Sequence, residues 1–334
     1  MAYGLRALRK IQFAGETTAG TAVATTTAIW RGTGLLHDDR EIKAVKEDRG
    51  SFQQLNRTYT PRVGGTIKLD SVEATFEQLP YILAAGISNA AASGTVDGTG
   101  GSDYIYTATL STTAAATPKT YTFEGGDNAR VDEIEYCYIE DFELSGKVNE
   151  AVMVASNWRG RQVTDSDFSA TITAPTVEEI LFNKGKLYLH ASTFGSGQIT
   201  GSWLAMSLKV KSGFQAVYSG DGSIYFTTVK QVAPVVTGSL TLEHDANGEA
   251  ELTAARNRTT RYMRMTFEGT AETTAGSGSA WSYKTLQVDL GIRYTSVPDV
   301  GEQNEDDVVV LPFELVSVTS GGVFTVVNEV AALP

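Results

Sequence analysis

The chain offers little from which to build a reactive centre: three histidines, one cysteine and scattered carboxylates. Covalent or acid–base catalysis needs a nucleophile, a base and a stabilising donor held together. His37 sits beside Asp38, Asp39 and Arg40. His190 closes the alternating run Leu187-Tyr188-Leu189-His190, and His244 follows the run Gly238 to Glu243. None lies in a Gly-x-Ser-x-Gly, His-Glu-x-x-His or phosphate-loop context. All three read as exposed or strand-end histidines. Cys137, between Tyr136 and Tyr138, reads as a small buried hydrophobe rather than a nucleophile. A single cysteine supports neither an internal disulfide nor a cysteine-based zinc cluster.

Two carboxylate groups remain. Glu133, Glu135, Glu140 and Asp141 contain pairs of the type that cleaves glycosides, but on an alternating strand Glu133 and Glu135 form the wet face. The loop Asp299 to Asp307 (DVGEQNEDD) carries five carboxylates, which suits calcium by charge. It lacks the Asp-x-Asp-x-Asp-Gly spacing and reads as a solvated, self-repelling loop. Trp30, Trp158, Trp203 and Trp281 are scattered and make no sugar-stacking row. Arg159 and Arg161, then Arg256, Arg258, Arg261 and Arg264, form two basic groups, expected to serve contacts between subunits. The net charge of -12 argues against a nucleic-acid grip, which needs surplus Lys and Arg. The expectation is a protein that is not an enzyme, with no catalytic, cofactor-binding or metal residues and no cofactor.

The elements around these residues are mostly strands. Two-residue alternation marks Gly64 to Asp70, Val131 to Leu144, Trp203 to Val210, Gly238 to Glu243 and Gln287 to Tyr294. Turn residues at Gly125 to Asn128, Ser219 to Gly222 and Pro298-Asp299 separate such runs. Many short strands so punctuated predict a sandwich or barrel. Two helices are expected. One spans Phe76 to Gly86, with Thr75 and Gln78 as a capping box and Pro80 as an alternative start; the other spans Glu249 to Arg256, capped by Asn247 or Gly248. Ala14 to Thr27 and Ala90 to Lys119 are low in complexity and read as exposed or partner-ordered. Excising about Ala91 to Lys119 is expected to leave the core folded.

The composition, 42% hydrophobic and 20% charged, is that of a globular protein, and 334 residues suit two domains or one large one. No run of about 18 apolar residues is present, and no apolar stretch follows Arg6, Arg9 and Lys10 as a secretory leader requires. The expectation is a soluble protein made in a cytosol, without a membrane partner.

A weak internal repeat is legible. GGTIKLD at 64–70 resembles TGSLTLE at 237–243, and a candidate helix follows each. Thr122-Phe123-Glu124-Gly125 recurs as Thr266-Phe267-Glu268-Gly269, and each is followed by a long alternating strand. The difference between the two offsets matches the size of the low-complexity stretch at 91–119. The repeat divides the chain into 1–188, containing that insert, and 189–334.

Three stretches resemble a known family. They are Gly15, Glu16, Thr17, Gly20, Thr21 and Ala22 in the run GETTAGTA at 15–22, then Glu73 to Tyr81, then Asp141 to Val163. Together they resemble the tail tube (major tail) proteins of long, non-contractile-tailed, siphovirus-type bacteriophages. The likeness covers mainly the first 165 residues; the second half enters through the repeat. It implies two tandem β-sandwich domains, each flanked by one short helix, with sheets joining across subunits into a lumen-lining barrel. It also implies a structural virion protein that stacks as rings into a hollow tube and conducts phage DNA into the host. With two tube domains per chain, three chains make a pseudo-hexameric ring. The implied partners are further copies of itself, the tape-measure protein, tail terminator and tail-tip proteins, and DNA passing through without specific binding. The implied location is the virion tail, assembled in the host cytoplasm. An acidic or neutral lumen would let DNA slide. Gly34 to Thr60 and the arm Ala14 to Thr27 would suit contacts between rings. Two alternatives are another phage tail, baseplate or decoration β-protein, and a β-sandwich carbohydrate-binding or hydrolytic module.

Overall fold

The structure, a computed structural model, describes residues 4–333 apart from 51, 54, 88–93, 112, 304–305 and 317–321. It is mainly β, with large antiparallel sheets and two α-helices. The first half runs β1 (Lys10–Gly15), β2 (Ala28–Ile29), β3 (Gly34–Asp38), β4 (Glu41–Lys46), β5 (Leu55–Arg62), β6 (Gly65–Glu73), α1 (Leu79–Gly86), β7 (Thr95–Val96), β8 (Tyr104–Thr109), β9 (Tyr121–Gly126), β10 (Val131–Lys147), β11 (Met153–Gly160) and β12 (Val163–Ser166). The second runs β13 (Gly185–His190), β14 (Gln198–Ile199), β15 (Trp203–Lys211), β16 (Phe214–Val217), β17 (Thr228–Gln231), β18 (Val235–Glu243), α2 (Ala246–Arg256), β19 (Arg261–Ala271), β20 (Tyr283–Tyr294), β21 (Gly301–Gln303), β22 (Asp306–Leu315) and β23 (Val323–Asn328).

The two halves pair their strands in the same order. In the first it is β1-β9-β10-β11-β6-β3. In the second it is β13-β19-β20-β22-β18-β15. The lesser elements correspond too. A single 3-10 turn precedes β1 and β13, and β2 and β14 add to those strands. A separate hairpin, β4–β5 or β16–β17, interrupts the path from β3 to β6 and from β15 to β18. A helix follows β6 and β18. The second unit of this repeat starts at Phe182, so a boundary after residue 188 falls inside β13.

The halves are joined edge to edge. β10 pairs with β15 from Asp141↔Lys211 to Lys147↔Ala205. One sheet therefore runs β3-β6-β11-β10-β15-β18-β22 and on to β20. Among the described residues no series of pairings returns to its first strand, so the sheet is open rather than a closed barrel. Its inner face is apolar at alternate positions, with Ile67, Leu69, Phe142, Leu144, Leu208, Leu240 and Leu311 at 2% exposure or less. α1 lies under it and is buried nearly all round. Pro80 falls in the helix's first turn, where its missing N–H costs nothing. Gln78 turns its side chain away from the helix and donates to the Ile29 carbonyl at 2.9 Å. α2 is capped by Asp245, whose carboxylate accepts from the Asn247 and Gly248 amides at 2.8 and 3.0 Å.

β10 passes from one layer to the other. Its first residues pair with β9 and β12, its last with β11 and β15. The crossing is a bulge with Tyr136 at φ 56, which shifts the register between Ile134 and Cys137. The bulge reverses the alternation, so Glu135 is buried at 3% exposure and not on a wet face. Gly160 must pass close by: a Cβ there would sit 2.1 Å from Ile134 Cγ2.

The low-complexity stretch is not a detachable insert. β8 pairs with β23 of the second half, and Tyr106, Ala108 and Leu110 are buried. Small residues hid this, because strand pairing needs backbone more than bulk.

Candidate assembly surface

The structure does not gather the catalytic candidates. His37 is exposed on the edge strand β3. The His190 ring accepts at Nδ1 from the Thr193 amide at 3.2 Å, closing a local turn after β13. His244 is exposed, 3.5 Å from Glu249. Cys137 is buried against the Ile134 carbonyl, and burial, with Glu16 and Glu135 beside it, pushes its thiol well up. Among the described residues no three His, Cys, Asp or Glu side chains form a group able to hold a metal ion. The loop at 299–307 is described except for residues 304 and 305. Its described ends form the exposed hairpin β21–β22.

The carboxylates of β10 serve ion pairs inside the chain. Glu135 receives Arg161 Nε at 2.9 Å, and Glu140 receives Arg159 Nε at 2.6 Å. Asp141 accepts from Asn157 and lies 3.4 Å from Lys209. The Glu133 carboxyl is pushed up, by burial first and by Glu124 and Glu135 second. Five of the six arginines expected at subunit contacts are likewise paired internally; Arg258 is exposed. Arg256 meets Glu249, Arg261 meets Glu251, and Arg264 forks onto Asp289 at 2.6 and 2.7 Å.

The motif at Gly15 to Ala22 holds the amino-terminal arm down rather than freeing it. Glu16, 4% exposed, accepts from the Gly20 amide at 2.7 Å, the Tyr136 amide at 2.7 Å and the Thr122 hydroxyl at 3.0 Å. Gly20 has φ +79, and Arg161 donates to its carbonyl at 2.6 Å. Thr26 donates to Glu124 of the first Thr-Phe-Glu-Gly run at 3.1 Å. The arm is therefore anchored to its own domain at Glu16 and Thr26, while Thr17 to Ala19, Thr21, Ala22, Ala24 and Thr25 stay exposed. Glu16→Ala strands three donors, two of them backbone amides, and is expected to cost about 2–3 kcal/mol. A denaturant midpoint shift of that size, with the slope unchanged, checks it.

A carboxylate cluster that sequence reading missed lies where 97–103 meets 272–281. Asp97 accepts from the Ala280 and Trp281 amides at 2.9 and 2.8 Å. Asp103 is fully buried, and among the described residues neither it nor Glu272 has a donor on its carboxyl oxygens. Lys284, the cation facing this region, bonds Glu77 at 2.8 Å and lies 3.9 Å from Glu178 and 4.0 Å from Glu329. Asp103 is pushed up by burial and by Glu329, and Glu272 by burial and by Asp103. Two adjoining carboxyls in such a place hold a proton between them. Folded-state values raised above the unfolded ones mean that this stability is complete below the ordinary carboxylate range and is lost as pH rises through the raised values. Asp103→Asn is therefore expected to gain melting temperature over the parent at about pH 8 and to lose that gain toward about pH 4. A gain independent of pH would rule out the shared proton. No sequence spacing announces this cluster, because Asp97 and Asp103, Glu272 and Glu329 come from three separated segments.

The solvent face of the long sheet is mixed in charge. Lys68, Lys209 and Lys211 alternate with Asp70, Asp141 and Glu143 along neighbouring strands. The acidic excess of the chain is not concentrated there. Among the described residues the outer edges of this sheet are unpaired at β3 and at β21. No protein-family model matches the chain, and no curated protein matches it.

Proposed function

We propose that the chain is a tail tube subunit of a long, non-contractile-tailed bacteriophage, and that it forms trimeric, pseudo-hexameric rings. The observation that carries this reading is the repeated strand order joined through β10 and β15 into one open sheet. A unit that joins its own repeat head to tail has a heterologous contact already built, and such contacts close into rings or continue into filaments. Strand edges left free invite another chain, which a ring satisfies. The Gly15 to Ala22 pattern, with its buried Glu16, adds the family likeness. In this reading the mixed-charge face of the long sheet lines the lumen. DNA passes it without a basic surface to hold it. The tape-measure protein fills the lumen before DNA does, and terminator and tip proteins cap the tube.

Electron micrographs of the purified protein test this. Hollow tubes of one diameter, built from rings of three protomers with six similar lobes, are expected. Six chains per ring would remove the two-domain assignment and keep the tube. A protein that stays monomeric at every concentration, alone and with its tail partners, would refute the assembly.

A further inference from the structure

Where 97–103 lies against 272–281, carboxylates outnumber the cations that face them. Lys284 acts on Asp103, but it bonds Glu77 at 2.8 Å and serves Glu178 and Glu329 at 3.9 and 4.0 Å. Asp97 is satisfied by the Ala280 and Trp281 amides at 2.9 and 2.8 Å. Glu329 accepts from the Thr273 amide and hydroxyl. Asp103 and Glu272 are left facing each other.

A second observation points to a ligand. Asp103 is 0% exposed, and among the described residues neither of its carboxyl oxygens has a hydrogen-bond partner. Both Glu272 oxygens are covered and unpartnered in the same way. Buried acceptors that face one another repel unless something positive stands between them. A shared proton answers this in part, since it engages one oxygen of each group. A metal cation can engage all four.

The first segment is also built like a metal loop. Residues 98–105 read GTGGSDYI. They keep the glycine, aspartate and apolar positions of the calcium-binding G-G-x-G-x-D-x-U loop, except for Thr99. Asp103 is the aspartate of that pattern. Gly98 and Gly100 stand at φ +76 and +77, a conformation that glycine adopts without strain. Backbone bonds tie the loop to the second half: Thr99 bridges to Ser277, and the Ser102 amide donates to the Thr274 carbonyl at 3.0 Å. These bonds hold Asp103 of the first half against Glu272 of the second.

We propose that Asp103 and Glu272 hold a calcium ion between the two halves, with main-chain oxygens and water completing its shell. The donors are oxygens only, which selects a hard cation. Magnesium gives up its water reluctantly, and these oxygens are shut off from solvent, so calcium is the better fit. The ion takes the place of the shared proton and braces β8 to the connection between β19 and β20. The site lies within one chain and stands whether or not rings form.

The test uses the full chain at about pH 8, first freed of metal with a chelator. Calcium at about 1 mM is expected to raise the parent's melting temperature by at least about 2 °C. Asp103→Asn, the more stable protein without metal, is expected to gain nothing from calcium, so the ion narrows the gap between them. Glu272→Gln is expected to be equally indifferent. Titration calorimetry is expected to find a single calcium ion per parent chain, lost in either variant. Both variants keep the acidic loop 299–307 and nearly all of the net charge. A gain that they share with the parent would therefore overturn the proposal as general screening. An equal gain with magnesium, or a parent that takes up no calcium, would overturn it as well.

Discussion

Excising residues 94–119 is expected to abolish cooperative unfolding. The stretch contains β8, which lies against β23 over six residue pairs, from Thr109↔Val323 to Tyr104↔Asn328. Tyr106, Ala108 and Leu110 are 7%, 3% and 4% exposed, and the Tyr106 hydroxyl donates to the Val330 carbonyl. Burial of Tyr and Leu side chains contributes on the order of 2 kcal/mol each. The strand also covers β23, whose other neighbour is β20. Removal bares that edge to other chains. The excised protein should show a broad calorimetric transition and aggregate on heating. A sharp transition at the parental temperature would mean that β8 adds nothing to the core.

Arg261→Ala is expected to cost about 3–5 kcal/mol, because it leaves a buried carboxylate without its cation. Glu251 lies on α2 at 1% exposure and receives both Arg261 Nε, at 2.9 Å, and Arg261 Nη2. The Tyr294 hydroxyl donates to the same carboxylate at 2.7 Å. Three elements meet there: α2, the start of β19 and the end of β20. Burial, reinforced by Glu251, pushes the Tyr294 phenol well up, so it stays a donor. Arg261→Lys keeps the charge and loses the fork, and should fall between parent and Ala variant. Equilibrium denaturation of the three proteins gives the order. An Ala variant within about 0.5 kcal/mol of the parent would show that the pair is solvated.

The sequence reading succeeded where side-chain pattern and structure share one cause. Alternation at 64–70 and 203–210 is the alternation of inner and outer faces in β6 and β15, so strand and orientation came together. The repeat was legible for the same reason, since matching strands bury matching positions. It failed where backbone or distant partners decide. Alternation through Glu133 and Glu135 looked regular, but Tyr136 in the left-handed region turns the strand over between them and the later residues. Ala91 to Lys119 looked inert because its partner, β23, is more than 200 residues away in sequence. Asp245, the cap of α2, was passed over for Asn247 and Gly248, two residues inside the helix it starts. The acidic loop and the segment Gly34 to Thr60 were both visible in the sequence; that β3 and β15 hold matching places emerges only when the two halves are superposed by pairing order.

The join between β10 and β15 has a kinetic consequence. Its two edges belong to one polypeptide, so they meet at the effective concentration of a tether, on the order of millimolar, whatever the dilution. A joint between copies enjoys no such help and follows mass action. Fusing the repeats therefore places three of the six joints in a ring of six units within chains, beyond the reach of dilution. On dilution, such a ring would come apart into intact two-unit protomers and never into single units.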